Sequence, residues 1–472
     1  MSREKDLLNN TFILSLGRVL PQFATFITLP ILTGCLSKSE YGTYDLIATL
    51  LLVLIPIATL EIQSAAFRFL IECRENQRET YSVITNITAV TVPASAIVSI
   101  TIGFCLVGYP RTIRTLIAFY FFLDTVTLML GQIVRGLGKN RDYSTQACLQ
   151  SLVKMGGIVA FVYYNKLGIQ GVFGALTLAD LTASVYLMRK IRIFQIFSIK
   201  DISFSQIKTL LQYSWPMVPN NLSAWVLSLS DRLVITAALG VDANAIYAVA
   251  NKIPSVLAVV QSVLMMAWQE NASVASKDED ATAYYSSMLE ITHNVMIGFT
   301  AVLIACMPAI FDILIRGDYS ESYYHTSILI LAAFFNIMSG YMSGIYIAHK
   351  KTFSIGVTTI AAAGLNLLID VLCVCYIGIW AGSLSTLFAY VFLYFYRVKN
   401  CKKFQPLTIH YKKQAVQIFI ILVMVVICCT KDTILLMLNL IIGITTAIYF
   451  NRDLIRRACN IVCRRIRRDM PH

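Results

Sequence analysis

Eight ionisable residues fall deep inside long apolar runs, and their types set what chemistry the chain could do. Arg18, Asp124, Lys154 and Asp180 lie in the first half of the sequence, and Asp231, Arg232, Lys252 and Asp370 in the second. A charge at the middle of a bilayer costs about 2.5 to 3.5 kcal/mol on insertion scales, so such residues should face a protein interior rather than hydrocarbon. The four bases could bind an anion such as a pyrophosphate, Arg through bidentate hydrogen bonds and Lys as a point charge. The four acids could carry a coupling ion or simply hold helices together. Asp124 and Lys154 sit near the middle of adjacent segments and could pair, while Asp231 and Arg232 are neighbours near a segment end. Arg18 follows Gly17 and precedes Pro21, in a run also broken by Pro30, where a kink frees backbone groups.

The elements that must position these residues are membrane spans. Of the 472 residues, 57% are hydrophobic and 14% charged, against about 25% charged in an ordinary soluble domain, and the mean hydropathy is +0.68. About twenty apolar residues cross a hydrocarbon core. Fourteen such segments are expected. The first six are 10–33, 43–67, 81–107, 112–133, 144–164 and 170–188. The next six are 213–238, 244–269, 288–315, 325–348, 354–376 and 378–396, and a final pair covers 414–430 and 432–450. The polar start, Met1 to Asn10, followed by a long apolar run without a small-residue cleavage site, predicts a retained first span rather than a removable signal peptide.

Most of the 39 Lys and Arg residues fall in alternate connections, on the side shared by the two termini. The bias of such charges toward cytoplasmic loops predicts both termini inside. The net charge of +13 is thereby a topology signal and not a nucleic-acid surface. The densest basic run, from Arg452 to Arg468, reads as a juxtamembrane anchor that could also attract anionic lipid headgroups. Trp215, Trp225, Trp268 and Trp380 are expected at the interfacial belt.

Several function classes are disfavoured. The nearest approach to a phosphate-cradling loop, Gly136-Leu-Gly-Lys139, is followed by Asn140 and lacks the upstream glycine, so ATP binding is not expected. The 12 cysteines and 5 histidines show no disulfide or metal-ligand spacing, which predicts no metal and no other cofactor. The loops are too short to hold a separate enzyme domain, so no enzymatic activity is expected.

An internal repeat recurs at a common offset. Gly168-Ile169 before the sixth segment matches Gly378-Ile379 before the twelfth, Lys139 to Tyr143 lines up with Lys350 to Phe353, and Tyr41 with Tyr247. Six spans return the chain to its starting side, so two six-span halves would be parallel repeats, the arrangement in which transporters place a substrate site near mid-membrane. The expected divisions are 1–200, 201–400 and 401–472, the last holding the extra pair and the basic tail.

With these features in hand, the sequence resembles the polysaccharide and O-antigen repeat-unit flippases of the multidrug, oligosaccharidyl-lipid and polysaccharide exporter superfamily. The likeness is carried by Asn10-Thr11, Gly17 and Pro30, and by Leu36-Ser-Lys-Ser-Glu-Tyr-Gly-Thr-Tyr44. It continues through Arg135-Gly-Leu-Gly-Lys-Asn-Arg-Asp-Tyr143, Ser230-Asp-Arg-Leu-Val-Ile235, Gly240, Tyr247 and Lys252-Ile-Pro254 to Asn366 and Gly378-Ile-Trp-Ala-Gly382. The resemblance implies an all-α integral membrane fold with a V-shaped pair of six-helix lobes, two further C-terminal helices and alternating access. It implies a bacterial inner-membrane location and a cargo of oligosaccharide on undecaprenyl pyrophosphate. It further implies membrane lipids and, within a polymer pathway, a polymerase and chain-length machinery as partners.

On this reading Arg18, Lys154, Arg232 and Lys252 line a cationic cavity, and Asp124, Asp180, Asp231 and Asp370 serve ion coupling or structural pairing. Each charge crossing about 100 mV is worth roughly 2.3 kcal/mol, so outward movement of a diphosphate with about two charges gains roughly 4 to 5 kcal/mol. A counter-moving proton or sodium ion is the other possible coupling. Two alternatives make different demands on the chain. A multidrug exporter of the same fold calls for an unbalanced acidic or aromatic cavity, and a sugar polymerase or ligase calls for large external loops.

Overall fold

Long apolar runs leave the backbone no water to bond, so the chain closes its own hydrogen bonds as helices. The computed structural model describes residues 2–275, 280–349 and 351–469, and every regular element among them is helical. In chain order these are α1 (Ser2–Cys35), α2 (Lys38–Thr59), α3 (Ile62–Glu72), α4 (Gln77–Cys105), α5 (Arg111–Gly136), α6 (Asn140–Ile158), α7 (Gly168–Ile191), α8 (Ile193–Ile196), α9 (Phe204–Ser214) and α10 (Met217–Leu239). They are followed by α11 (Val241–Ala250), α12 (Ser255–Ala275), α13 (Ala281–Leu314), α14 (Ser322–Ala348), α15 (Thr352–Ile377), α16 (Trp380–Cys401), α17 (Tyr411–Thr430) and α18 (Thr433–Asp469).

Among the described residues ten helices are long and apolar enough to cross a membrane, and α11 with the start of α12 makes an eleventh, bent by 48°. All fourteen expected segments lie on helices, the remaining three on α1, α10 and α16. The protein is therefore an all-α, multi-pass membrane protein.

Two segments differ from expectation in an instructive way. The second was expected to run to 67, but α2 stops at Thr59, and Leu60 and Glu61 take left-handed backbone (φ 49° and 57°) before α3 begins at Ile62. Hydropathy is blind to this break because Ile62, Ala65, Ala66 and Phe67 carry the apolar run straight across it. Ile62, Ala65, Ala66 and Leu70 turn into a core shared with α4, α5 and α9 rather than continuing along the span. The eighth segment is likewise split, at Asn251 to Pro254, since Pro254 has no N–H to continue the ladder.

The chain forms two compact units, Met1–Ala245 with Leu314–Asp318, and Ile246–Ile313 with Tyr319–His472. In the first, α5 packs on α3, α4 and α7, α6 packs on α1 and α7, and α10 lies along α2. The connection after α7 is folded, not slack. Asn86 of α4, wholly buried, accepts from the Ser203 N–H at 2.7 Å and donates to Asp201 O at 3.2 Å and Gln206 Oε1 at 2.6 Å, clamping the start of α9 down. In the second unit α14 is buried along most of its length, against α12 and α16, while α15 packs on α16 and α17 on α18. The pairing of the fourth and fifth spans with the sixth (α5 and α6 with α7) recurs as the tenth and eleventh with the twelfth (α14 and α15 with α16).

The Gly-Ile repeat acquires a physical meaning here. Gly168 and Gly378 both take left-handed backbone (φ 56° and 60°) at the turn between two antiparallel spans. At Gly168 a Cβ would also fall 2.1 Å from Glu40 Oε1. Glu40 holds the start of α2 in a capping box with Ser37 and accepts from the Ile169 N–H at 3.3 Å, so one carboxylate ties two helix starts together.

Candidate functional site

Small residues bring the helices of the first unit close enough for their polar groups to meet. A Cβ on Gly157 would lie 2.9 Å from that of Ala175, so α6 and α7 are nearly in backbone contact. Two turns earlier on α6, the Gln150 amide donates to the carboxylate of Asp180, which is 2% exposed on α7. Gln146 donates to Gln150 at 2.7 Å, and Thr127 of α5 bonds Ser184 at 2.7 Å and the Asp180 carbonyl at 3.3 Å. Lys154, one turn beyond Gln150, lies within electrostatic reach of both Asp124 and Asp180. Tyr120 joins the same group, with its ring 5.9 Å from that of Phe173, which in turn meets Tyr44 at 5.9 Å.

The structure thus brings together three of the expected residues, Asp124, Lys154 and Asp180. With two carboxylates and one ammonium, the trio is short of one positive charge when all three are ionised.

Arg232 is held elsewhere in this unit. Its Nε donates to Asp45 Oδ2 of α2 at 2.7 Å, with the two side chains 14% and 6% exposed. Asp231, one residue earlier on α10, is buried. Close helix approach makes the Asp45 pairing possible: Asn244 donates to Gly42 O at 2.9 Å, and a Cβ on Gly42 would overlap Val241 O at 2.0 Å. Asp45 went unrecognised in the sequence because it is the third residue of its segment, where an acid reads as interfacial. The Arg18 side chain lies outside the described residues; its neighbour Gly17 packs on Ser144 of α6, where a Cβ would come within 2.8 Å of Oγ.

In the second unit Lys252 sits in the break between α11 and α12, half-buried, with its carbonyl accepting from Ser255 Oγ at 2.6 Å. The backbone stays bonded across the break, with the Lys252 and Ser255 N–H groups donating to Val249 O and Asn251 O at 3.0 and 3.2 Å. Asp370 of α15 accepts from Ser385 Oγ of α16 at 2.6 Å, and Asn366 donates to the same hydroxyl at 3.0 Å, so these three tie α15 to α16. The expected acids therefore divide. Asp124 and Asp180 share a group with a base, while Asp370 accepts from the Ser385 hydroxyl that Asn366 also bonds.

One buried cation escaped the sequence reading altogether. Arg397, 4% exposed, lies one residue beyond the expected end of the twelfth segment. Its guanidinium donates to Thr358, Thr359 and Ser343 hydroxyls at 3.1, 2.9 and 2.8 Å and to the Ser339 and Ile355 carbonyls at 3.1 and 3.3 Å. Five neutral oxygens use the whole donor fork, which makes Arg397 a strut between α14, α15 and α16. The available signal was the hydroxyl pair Ser339 and Ser343, spaced one turn apart and followed by Thr358-Thr359. Trp268 was expected at the interfacial belt but is buried, stacked 4.2 Å from Tyr341 and donating to its carbonyl at 2.9 Å. An indole finds its one acceptor as well in a packed core as at a headgroup.

The comparisons agree with this architecture. A family model described as polysaccharide biosynthesis protein matches residues 7–269. No curated protein matches the sequence. Among solved structures, the lipid II flippase MurJ in an inward closed conformation aligns with a TM-score of 0.70 at 15% identity, over 95% of this chain and 100% of that one. An inward-facing multidrug resistance MATE family transporter of the MOP superfamily aligns at 0.66 and 14% identity, over 82% of this chain and 98% of the other. A MOP superfamily transporter from Pyrococcus furiosus aligns at 0.57 and 14% identity, over 84% and 95%. The fold is that of the MOP superfamily.

Proposed function

The chain belongs to the family of polysaccharide biosynthesis proteins, and on that premise we propose that it is a flippase for a lipid-linked oligosaccharide. The cargo is a repeat unit of O-antigen, capsule or exopolysaccharide on undecaprenyl pyrophosphate, moved from the inner to the outer leaflet of a bacterial inner membrane by alternating access. Both termini are cytoplasmic, and residues 1–200 and 201–400 act as the two moving halves. Arg18, Lys154, Arg232 and Lys252 are assigned to the pyrophosphate. The observation that carries the reading is the family match, which spans three of these four bases in full-length helices and the fourth at a helix break.

The pairings refine the mechanism. Arg232 meets cargo by exchanging Asp45 for a phosphate oxygen, one charge-assisted bond for another, so release of the cargo is not opposed by a stranded cation. Asp124 and Asp180 are assigned to the coupling proton or cation, which compensates their charge when Lys154 turns from them to the pyrophosphate. Partner enzymes of polymer assembly would receive the flipped unit on the far side.

The test is display of surface polymer in a strain lacking the gene, complemented with wild type, Arg18→Ala or Lys252→Ala. The expected result is restoration by the wild type and loss with the variants, each inserted at normal level. Normal display in the deletion strain would overturn the assignment. Efflux of cationic drugs with undisturbed polymer would point to a multidrug exporter instead.

A further inference from the structure

We propose that the cleft between α13, α17 and α18 binds one zwitterionic glycerophospholipid with a primary ammonium, its headgroup in a charged cavity and an acyl chain along the adjoining groove. The helices are drawn together by small residues. A Cβ on Gly298 would lie 3.2 Å from Ala447 Cα, and one on Gly443 would lie 3.0 Å from Ala301 O. Toward one end of α13 they separate around a cavity of about 440 Å³, walled by Glu290, Asn294, Lys413, Tyr449, Arg452 and Asp453. A second space of about 460 Å³, lined by Val295, Phe299, Val302, Ala447 and Ile455, follows along α13 and α18. Leu454 and the wall of α13 are common to both. Each falls within the roughly 300 to 1,000 Å³ of ordinary ligand sites. The pair is polar at one end and apolar at the other, which is the build of a lipid and not of a sugar or a nucleotide.

Charge selects the headgroup. The cavity holds two acids and two bases. Glu290 accepts from Lys413 at 2.7 Å, while Arg452 and Asp453 stand 3.8 Å apart, both largely exposed. A purely anionic headgroup would bring its phosphate against Glu290 and Asp453. A zwitterion satisfies both signs, phosphate on Arg452 and Lys413 and ammonium on the carboxylates. A primary ammonium brings three N–H donors, and a quaternary one brings none. This favours phosphatidylethanolamine over phosphatidylcholine, and both over phosphatidylglycerol. The bound lipid would fasten α17 and α18 to α13, a role that does not depend on the nature of the cargo.

The experiment is native mass spectrometry of the full chain, delipidated in detergent and mixed with equal amounts of phosphatidylethanolamine, phosphatidylcholine and phosphatidylglycerol. One retained phosphatidylethanolamine per chain is expected, at least tenfold above phosphatidylglycerol. Glu290→Gln should erode that preference, and Val302→Trp, which fills the groove, should lower retention of all three. Size-exclusion behaviour and melting of each variant establish that it is folded. Equal or greater retention of phosphatidylglycerol by the wild type, or no retained lipid, would overturn the proposal. Unchanged selectivity in a folded Glu290→Gln variant would overturn the headgroup assignment.

Discussion

Replacing Asp45 by Asn removes the carboxylate that Arg232 grips at 2.7 Å, and the burial of the pair sets what this should cost. At that distance, with an effective dielectric of about 20, the attraction is about 6 kcal/mol. Desolvating each ion takes back several kcal/mol, so the pair as a whole contributes little net stability. Breaking it is another matter. A base stranded in a site where its side chain is 14% exposed has no water to turn to, and loss of one partner of a buried pair costs roughly 3 to 5 kcal/mol. Asp45→Asn and Arg232→Met are each expected to fall in that range, while the double variant should return close to the wild type. The assay is the folded fraction of purified protein across an SDS titration, read as a double-mutant cycle, with an expected coupling of at least about 2 kcal/mol. Polar contacts between membrane helices average only about 0.6 kcal/mol. A coupling at or below that figure would refute the reasoning, because it would mean that solvent already compensates Arg232.

Other perturbations test the remaining contacts. Lys154→Met should destabilise the first unit by leaving Asp124 and Asp180 without their base, and adding Asp124→Asn should recover most of the loss in the same titration. Arg397→Lys keeps the charge but offers three donors where five acceptors wait; with each charged hydrogen bond worth about 1.5 to 3 kcal/mol, a loss of at least about 2 kcal/mol is expected. Equal stability of the Arg397→Lys protein would show that the strut carries no weight. Gly168→Ala should lower the melting temperature because the new Cβ meets Glu40 at a left-handed backbone position, and Glu40→Ala in the same chain should relieve the clash but not the backbone strain.

The sequence by itself determined the class of molecule and the order of its spans. Whether a run crosses hydrocarbon depends on its length and composition, which are local properties, so all fourteen segments from 10–33 to 432–450 fall on helices. The Gly-Ile repeat was equally legible, since glycine is the residue that enters a left-handed turn at least cost. The tertiary structure alone decided the partnerships. Asp45 and Arg232 are 187 residues apart, and no spacing rule connects them. Arg397 reads as a loop-end cation until two helices, α14 and α15, close their hydroxyls around it, and Trp268 reads as interfacial until Tyr341 is stacked on it. Even the end of α2 belongs to this category, because the apolar run continues into α3 and the break shows only in the left-handed backbone at Leu60 and Glu61 and in the core α3 shares with α4, α5 and α9. Hydropathy records how much a residue gains by leaving water; which neighbour replaces the water is settled by the faces that the folded helices bring together.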